Sequence, residues 1–270
     1  MFNPDCVSFY EIQFSVSDFN KRGEWICLND DDVMSLNEVV YKRKSTRKYQ
    51  SDALNEKTLQ DIHSYFTKIK PLYCDIKVNF DIVNKESMKG LLSLFSPHYI
   101  LAMSENEKGY LVNVGFMLQQ VDLYLSSIGL GGCWLGMAKP KEKPSGDMEF
   151  VIAYAFGKPV GSPYRNLEDF KRKSLDKLSN NADSRIKVVQ FAPSAMNSQN
   201  YYFVTEGNII HAYCAKAGLL TIKQFAKMRE IDVGIALAHL YVENSERFKF
   251  FEATNPQDVK GHYYIGSVEL

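Results

Sequence analysis

No run of apolar residues approaches the roughly 18 that a bilayer crossing needs, and no basic segment leads into an apolar core near the N-terminus. Neither a membrane span nor a secretory signal is expected. Charge of one sign is not in excess either: 32 Lys+Arg balance 32 Asp+Glu, so no global field favours nucleic acid or an anionic membrane, and any anion site must be local. Cysteine is sparse. The five, Cys6, Cys27, Cys74, Cys133 and Cys214, are odd in number and scattered, with no C-x-x-C pair or Cys/His cluster. That pattern argues against a zinc site or a disulfide framework and makes a reduced, cytoplasmic setting the expectation. Beyond these absences the composition is ordinary for a globular protein, 45% apolar and 24% charged. At 270 residues the chain suits one large domain or two fused smaller ones.

Residues 1–33 fit poorly with the rest of the chain: they carry Asp30-Asp31-Asp32 and little periodicity beyond Phe9–Phe14. They read as an N-terminal extension, either an upstream reading-frame extension before Met34 or an arm that packs on the body. Ser35 and Glu38 then have capping-box spacing, and Leu36, Val39 and Val40 give a short first helix one apolar face. Asn55 caps a second helix through Leu59, Ile62, Tyr65 and Phe66. Alternation at Ile76, Val78, Phe80 and Ile82 predicts a strand, as does His98–Met103. Tyr110–Ile128 is apolar on most faces, which predicts a buried central helix ended by Gly129. Phe150–Phe156 is a further strand, and Arg165–Leu178 a basic, partly helical stretch. In the second half, strands at Tyr201–Thr205 and Ile209–Tyr213 pair across Glu206-Gly207-Asn208. A helix over Ile231–Val242 and a last strand over His262–Val268 complete the chain. Val114-Gly115-Phe116-Met117-Leu118-Gln119-Gln120 parallels Val233-Gly234-Ile235-Ala236-Leu237-Ala238-His239 in equivalent placement, which favours an internal duplication.

Four constellations could carry chemistry. Arg43-x-Ser45-x-Arg47 puts two guanidiniums and a hydroxyl on one edge of an extended segment, a receptor for a dianionic phosphate. The same residues also suit a solvated basic helix end. Ala192-Pro193-Ser194-Ala195-Met196-Asn197-Ser198-Gln199-Asn200 offers short side chains, donors and acceptors to the edge of a planar ligand, or equally a capped loop. Gly129-Leu130-Gly131-Gly132-Cys133-Trp134-Leu135-Gly136 would let backbone N–H groups reach a ring, or simply ends a helix ahead of a strand. Cys133 has no base beside it in sequence and reads as buried and inert. Lys171-Arg172-Lys173 is a solvated helix face unless the fold brings it beside Arg43.

Together these segments resemble the FMN-dependent nitroreductase family. Lys42–Tyr49 is similar to its opening motif, Ala192–Asn200 to its second signature, Gly129–Gly136 to its third, and Lys171–Leu178 to the basic segment near its end. The resemblance covers nearly everything after Met34. One departure is informative. In ordinary members the second signature follows the first by one helix, where this chain has Lys68-Ile69-Lys70-Pro71-Leu72-Tyr73, without the Ser and Asn. The signature lies in the second half instead, so the chain resembles a fused dimer of the family's tandem branch.

The resemblance implies an α+β, nitroreductase-like fold of two pseudo-equivalent sheet-and-helix halves, residues 34–178 and a degenerate 179–270. The cofactor would be FMN, with NAD(P)H as a transient reductant and a small nitroaromatic or quinone-like acceptor. FMN would be held by Arg43, Lys44, Ser45, Arg47, Trp134, Leu135, Gly136, Lys171, Lys173, Pro193, Ser194, Ala195 and Asn197. Arg43 and Ser45, helped by Lys171 and Lys173, would take the phosphate, Arg47 the N1/O2 side of the ring, and a backbone N–H near Gly136 its N5. The reciprocal site should be dead, leaving one FMN per chain in a monomer that acts as a pseudo-dimer. No nucleic acid, membrane partner or metal is expected, and the missing G-x-G-x-x-G fingerprint fits a nicotinamide that visits rather than resides. Family members often carry an acidic residue where Gly136 falls, which leaves acceptor range open. A non-catalytic FMN-binding protein, or a related flavin dehalogenase or dehydrogenase, would use the same motifs.

Overall fold

Chain order in the computed structural model, which describes residues 34–90, 96–142, 147–218 and 223–270, opens with two capped helices. The expectations for residues 1–33 lie outside the described residues. In α1 (Leu36–Val39) the Ser35 hydroxyl accepts from the Glu38 N–H. In α2 (Glu56–Phe66) Asn55 Oδ1 accepts from the Thr58 N–H at 2.8 Å. Both caps are those the spacing predicts.

The first sheet contains β1 (Val78–Val83), β3 (His98–Ser104), β4 (Gly131–Leu135) and β6 (Glu149–Gly157). A two-stranded ribbon, β2 (Met88–Lys89) with β5 (Lys139–Pro140), lies outside it. Strand order is β1-β3-β6-β4, antiparallel throughout. Every residue of β3 is buried, because the sheet is covered on both faces. The main core lies on one side. On the other, Met88 and Ala138 of the ribbon region pack on Tyr99, Leu101, Ala153 and Ala155. Between β3 and β4 runs α3 (Tyr110–Ser127), buried along most of its length as its all-round apolar sequence demands.

The second sheet contains β7 (Tyr201–Glu206), β8 (Ile209–Ala215), β9 (Lys249–Phe251) and β10 (His262–Glu269), in the order β7-β8-β10-β9 and again antiparallel. The expected β7–β8 hairpin is present across residues 206–208. Between β8 and β9 runs α4 (Lys223–Glu243). It starts two turns before the predicted Ile231, because its first turns carry charged and amide side chains and lack an all-round apolar period. Each sheet is therefore an antiparallel pair, a long helix, an edge strand and a last strand inserted between edge and pair.

The chief packing partner of α3 is α4. Their closest approach is at Gly115 and Gly234, which the parallel segments single out. A Cβ on Gly115 would strike the Ile231 carbonyl oxygen, and one on Gly234 the Val112 carbonyl oxygen. Glycine is required at both positions because the neighbour is backbone and cannot swing away. Around this crossing a single apolar core joins both helices to both sheets.

Alanine at Gly115 or Gly234 gains about 1 kcal/mol in helix propensity, but overpacking against backbone costs roughly 1–3 kcal/mol or more. Because the struck atoms are backbone, the cost falls at the upper end of that range, and each substitution is expected to destabilise the fold by about 2 kcal/mol net, read as a lower denaturant midpoint at unchanged slope. Unchanged midpoints for both variants would show that the helices do not meet there.

Candidate functional site

After α1 the chain runs extended beside β4. Ser45 pairs with Gly132 in parallel, and the Thr46 N–H donates to the Gly132 carbonyl at 2.8 Å. This edge forms one wall of a cleft whose other wall comes from the second half of the chain. The inner compartment, about 240 Å³, is lined by Ser45, Arg47, Cys133, Trp134 and Gly136 on one side and by Pro193–Met196 and the first half of α4 on the other. Phe225, Met228, Ile231 and Ile235 make that helix face apolar. An outer compartment of about 590 Å³ shares Ser45, Arg47, Pro193, Ser194 and Met196 with it. Its remaining lining is basic and polar: Lys44, Lys171, Arg165 and Arg172, with Tyr164, Asp169 and Asn197. Volumes of this order accommodate a small-molecule ligand.

Of the thirteen residues expected at the site, ten line these compartments: Lys44, Ser45, Arg47, Trp134, Gly136, Lys171, Pro193, Ser194, Ala195 and Asn197. Arg43, Leu135 and Lys173 do not. Arg43 departs most from expectation. Its side chain is fully buried, with Nε 3.2 Å from Asp122 Oδ2. Asp122 Oδ1 accepts from the Tyr154 hydroxyl at 2.6 Å. The Arg43 backbone pairs with Tyr164 rather than β4, so its side chain does not share the edge of Ser45 and Arg47. Lys173 is taken up in holding the signature loop: its N–H donates to Gln199 Oε1 at 2.7 Å, and its Nζ to the Gln199 carbonyl at 3.0 Å.

The signature loop is held in a costly backbone shape. Met196, Asn197 and Gln199 all have positive φ, at 52°, 56° and 44°, which for non-glycine residues costs of order 1 kcal/mol each. The surrounding bonds explain why it persists. Buried Gln199 donates from Nε2 to the Gln190 carbonyl and the Tyr201 hydroxyl, and its N–H donates to Ser194 Oγ. Asn197 Oδ1 accepts from Arg172 Nη1, and its Nδ2 donates to the Lys171 carbonyl at 2.7 Å. Asn197 therefore ties the loop to the basic segment.

The electrostatics of the outer compartment are dominated by crowded cations. Arg165 is drawn down to about 10 by burial first, then by the charges of Arg43 and Arg172, with a further contribution from Arg47. Arg172 is lowered by burial and by Arg43. Arg43 and Arg172 both keep buried guanidinium nitrogens with no hydrogen-bond partner. An anion in the outer compartment would relieve the like-charge repulsion and give Arg172 Nε an acceptor. In the inner compartment burial pushes the Cys133 thiol up, against the pull of Arg47 and Arg43.

The sequence patterns did not single out Arg165 or the α4 face. Arg172 lies within the basic run Lys171-Arg172-Lys173, in which the family resemblance points to the lysines. Asp232 did have a readable signal, as an acid inside an otherwise apolar run, Ile231–Leu237. It is 2% exposed. Its Oδ1 accepts from the Ala195 N–H at 2.9 Å, while Oδ2 has no partner. Burial raises its carboxyl to about 8, against smaller opposing effects of the Ala195 N–H and Arg229. Among the described residues, no group of three or more His, Cys, Asp or Glu is placed to hold a metal ion, and no helix is long and apolar enough to cross a membrane.

A family model described as "Putative TM nitroreductase" matches residues 35–244. Among solved structures, a putative nitroreductase from Thermotoga maritima is 22% identical, with a TM-score of 0.62, over 92% of this chain and 99% of its own. At that identity the likeness is one of fold. A nitroreductase family protein from Clostridium novyi NT is 19% identical, with a TM-score of 0.39, over 50% of this chain and 91% of its own. An FMN-dependent nitroreductase from Clostridium difficile R20291 is 16% identical, with a TM-score of 0.41, over 49% and 93%. None of the curated proteins matches the chain.

Asp232 makes folding pH-dependent. Between the ordinary carboxylate value near 4 and about 8, the unfolded chain is ionised at this residue while the folded chain keeps its proton. Stability therefore falls as pH rises through that window and levels off above it. Asp232→Asn keeps the acceptor for the Ala195 N–H and removes the titration. Its Tm advantage over the parent is expected to grow by at least roughly 3 °C between pH 5 and pH 8. A pH-independent difference would mean that Asp232 is ionised in the fold.

Proposed function

The chain belongs to the nitroreductase family whose model spans residues 35–244, and from that premise we propose an FMN-dependent oxidoreductase that holds one FMN per chain in this cleft. Family membership supports an oxidoreductase. The observation that carries the finer reading is the joining of two unlike compartments by shared walls, one lined largely by apolar side chains, the other by arginines and lysines.

The residues present fit that cofactor. Lys44, Ser45, Lys171, Arg165 and Arg172 would hold the phosphate, and the unpartnered Nε of Arg172 is a donor that a phosphate oxygen would satisfy. Pro193, Ala195, Trp134, Gly136, Met228 and Ile235 would flank the ring, with Arg47 at the junction of the two compartments. When bound, FMN would supply hydride chemistry at its own N5. The chain's part is to bind, orient and exclude water: the α4 face and Trp134 keep the inner compartment apolar, and Arg47 places positive charge where a reduced ring would carry negative charge. The rim at Met137 and Met196 is exposed, which leaves room for NAD(P)H and then a small nitroaromatic or quinone-like acceptor to enter in turn.

The matching strand orders and the Gly115–Gly234 crossing support two duplicated halves, 34–178 and 179–270, in a monomer acting as a pseudo-dimer. Pro71-Leu72-Tyr73 then stands where the other half has Pro193-Ser194-Ala195. The Tyr73 ring packs edge-on to Phe250 at 5.3 Å, and a Cβ on Gly109 would lie 2.7 Å from it. These contacts support the reading that the reciprocal site is closed.

Purified protein is expected to bind one equivalent of FMN, and NADH or NADPH to bleach the flavin absorbance under anaerobic conditions. Two equivalents would overturn the single-site reading, and no bleaching with either nucleotide would leave a flavin-binding protein in place of a reductase. Ala195→Tyr, which copies Tyr73 into the open cleft, is expected to weaken FMN binding more than tenfold by fluorescence titration while leaving the circular dichroism unchanged.

A further inference from the structure

The two long helices each use a polar side chain, two residues before the crossing glycine, to hold the loop that begins at a proline. On α3 this is Asn113. Its Oδ1 accepts from the Leu72 and Tyr73 N–H groups at 2.8 and 3.2 Å, and its Nδ2 donates to the Tyr73 carbonyl at 3.2 Å. The loop thus occupies the amide at both ends. On α4 the equivalent residue is Asp232, which uses only Oδ1, on the Ala195 N–H. Its Oδ2 is buried without a partner and the residue lines the inner compartment. Holding a loop needs no more than the amide that the other half uses. A carboxyl with one buried, unpartnered oxygen, in a residue that lines a cavity, points to a second task.

We propose that Asp232 is a positioning residue for the ligand of the inner compartment: as the neutral acid, its Oδ2–H donates a hydrogen bond to a carbonyl oxygen or unprotonated ring nitrogen of a planar heterocycle seated against Pro193–Met196. This rests on the flavin reading and names the part of the ring that the second half of the chain recognises. A carboxylate at this place would face no cation in contact. Among the groups around it, Arg229 lies on its own helix and interacts at a distance, while Tyr201 on β7 and Cys214 on β8 are neutral groups raised by burial. Cys133 across the cleft is likewise raised, and Arg47 lines the opposite wall. The carboxyl therefore keeps its proton near neutrality, with a value of about 8. A protonated acid offers one donor beside one acceptor, the pattern that complements an amide-like ring edge. Ionisation would replace that donor with a buried negative charge facing the ring acceptor, so ligand affinity should fall as pH rises through this range.

The test measures FMN dissociation constants by fluorescence quenching from pH 7 to pH 9, at constant ionic strength, for the parent chain, Asp232→Asn and Asp232→Leu. The window lies above the second ionisation of a phosphate monoester near 6. The parent chain is expected to bind about tenfold more weakly at pH 9 than at pH 7, the slope required when only the protonated form of a group titrating near 8 binds. Asp232→Asn, which keeps a donor and an acceptor in the same places, should bind within about threefold of the parent at pH 7 and show no pH slope. Asp232→Leu should bind at least about tenfold more weakly than the parent at pH 7 and show no pH slope. Equal slopes in the parent and Asp232→Asn, or a flat parent profile, would overturn the proposal while leaving the flavin reading intact. Absence of FMN binding by the parent chain at pH 7 would overturn both.

Discussion

The backbone contact between α3 and α4 at Gly115 and Gly234 sets where everything else can lie. With no side chain on either helix at the crossing, each helix meets the other's carbonyl groups directly. The two sheets that flank these helices are thereby brought onto one core. Each sheet contributes something the other lacks. The first supplies β4 and the extended segment beside it, and the second the strained loop at residues 193–199 and the apolar face of α4. The cleft is the space between these contributions, and its width depends on the helix crossing. A larger residue at either glycine would act on the cleft as well as on stability.

How much of this is legible in the sequence depends on the length and burial of each element. Tyr110–Ile128 has no polar face, and only a helix covered on all sides satisfies that pattern. Its bounds in the structure differ by one residue. The caps at Ser35 and Asn55 are equally readable, because capping is a local matter between neighbouring residues. The ribbon strands β2 and β5 and the short β9 are not. They have two or three residues each, too few to show a period, and they exist because partner strands offer hydrogen bonds. The early turns of α4 are hidden for a related reason: one face meets the cleft, and the charged side chains on the rest break the apolar run that marks the later turns.

The candidate site is legible where recognition is local and obscure where it depends on direction in space. Ser45 and Arg47 can be assigned together because alternate residues of an extended segment share a side. Arg43 obeys the same rule only if the strand begins before it. Instead it sits at the turn out of α1, where Asp122 of α3 captures it. A buried arginine paired with one carboxylate gives weak net stability but strong geometric definition, so its contribution to the cleft is a fixed positive potential behind the wall. Arg165 and Arg172, which do line it, come from segments without regular period. Nothing in the spacing says that an irregular basic stretch between two short 3₁₀ turns will fold back over the first motif.

Both walls of the cleft belong to one polypeptide, and that has a consequence for how such a site can change over time. In a symmetric pair of identical subunits every substitution appears twice, once in each of two equivalent clefts, so neither can be altered without the other. In the duplicated arrangement proposed above, Tyr73 and Ala195 take corresponding places and are encoded separately. One cleft could fill with aromatic side chains and become a structural joint while the other stayed open. The assembly also cannot come apart on dilution, since the second wall arrives with the first at the effective concentration of a tethered partner. A chain built this way can sustain an asymmetric centre, with one face committed to holding the molecule together and the opposite face free to specialise.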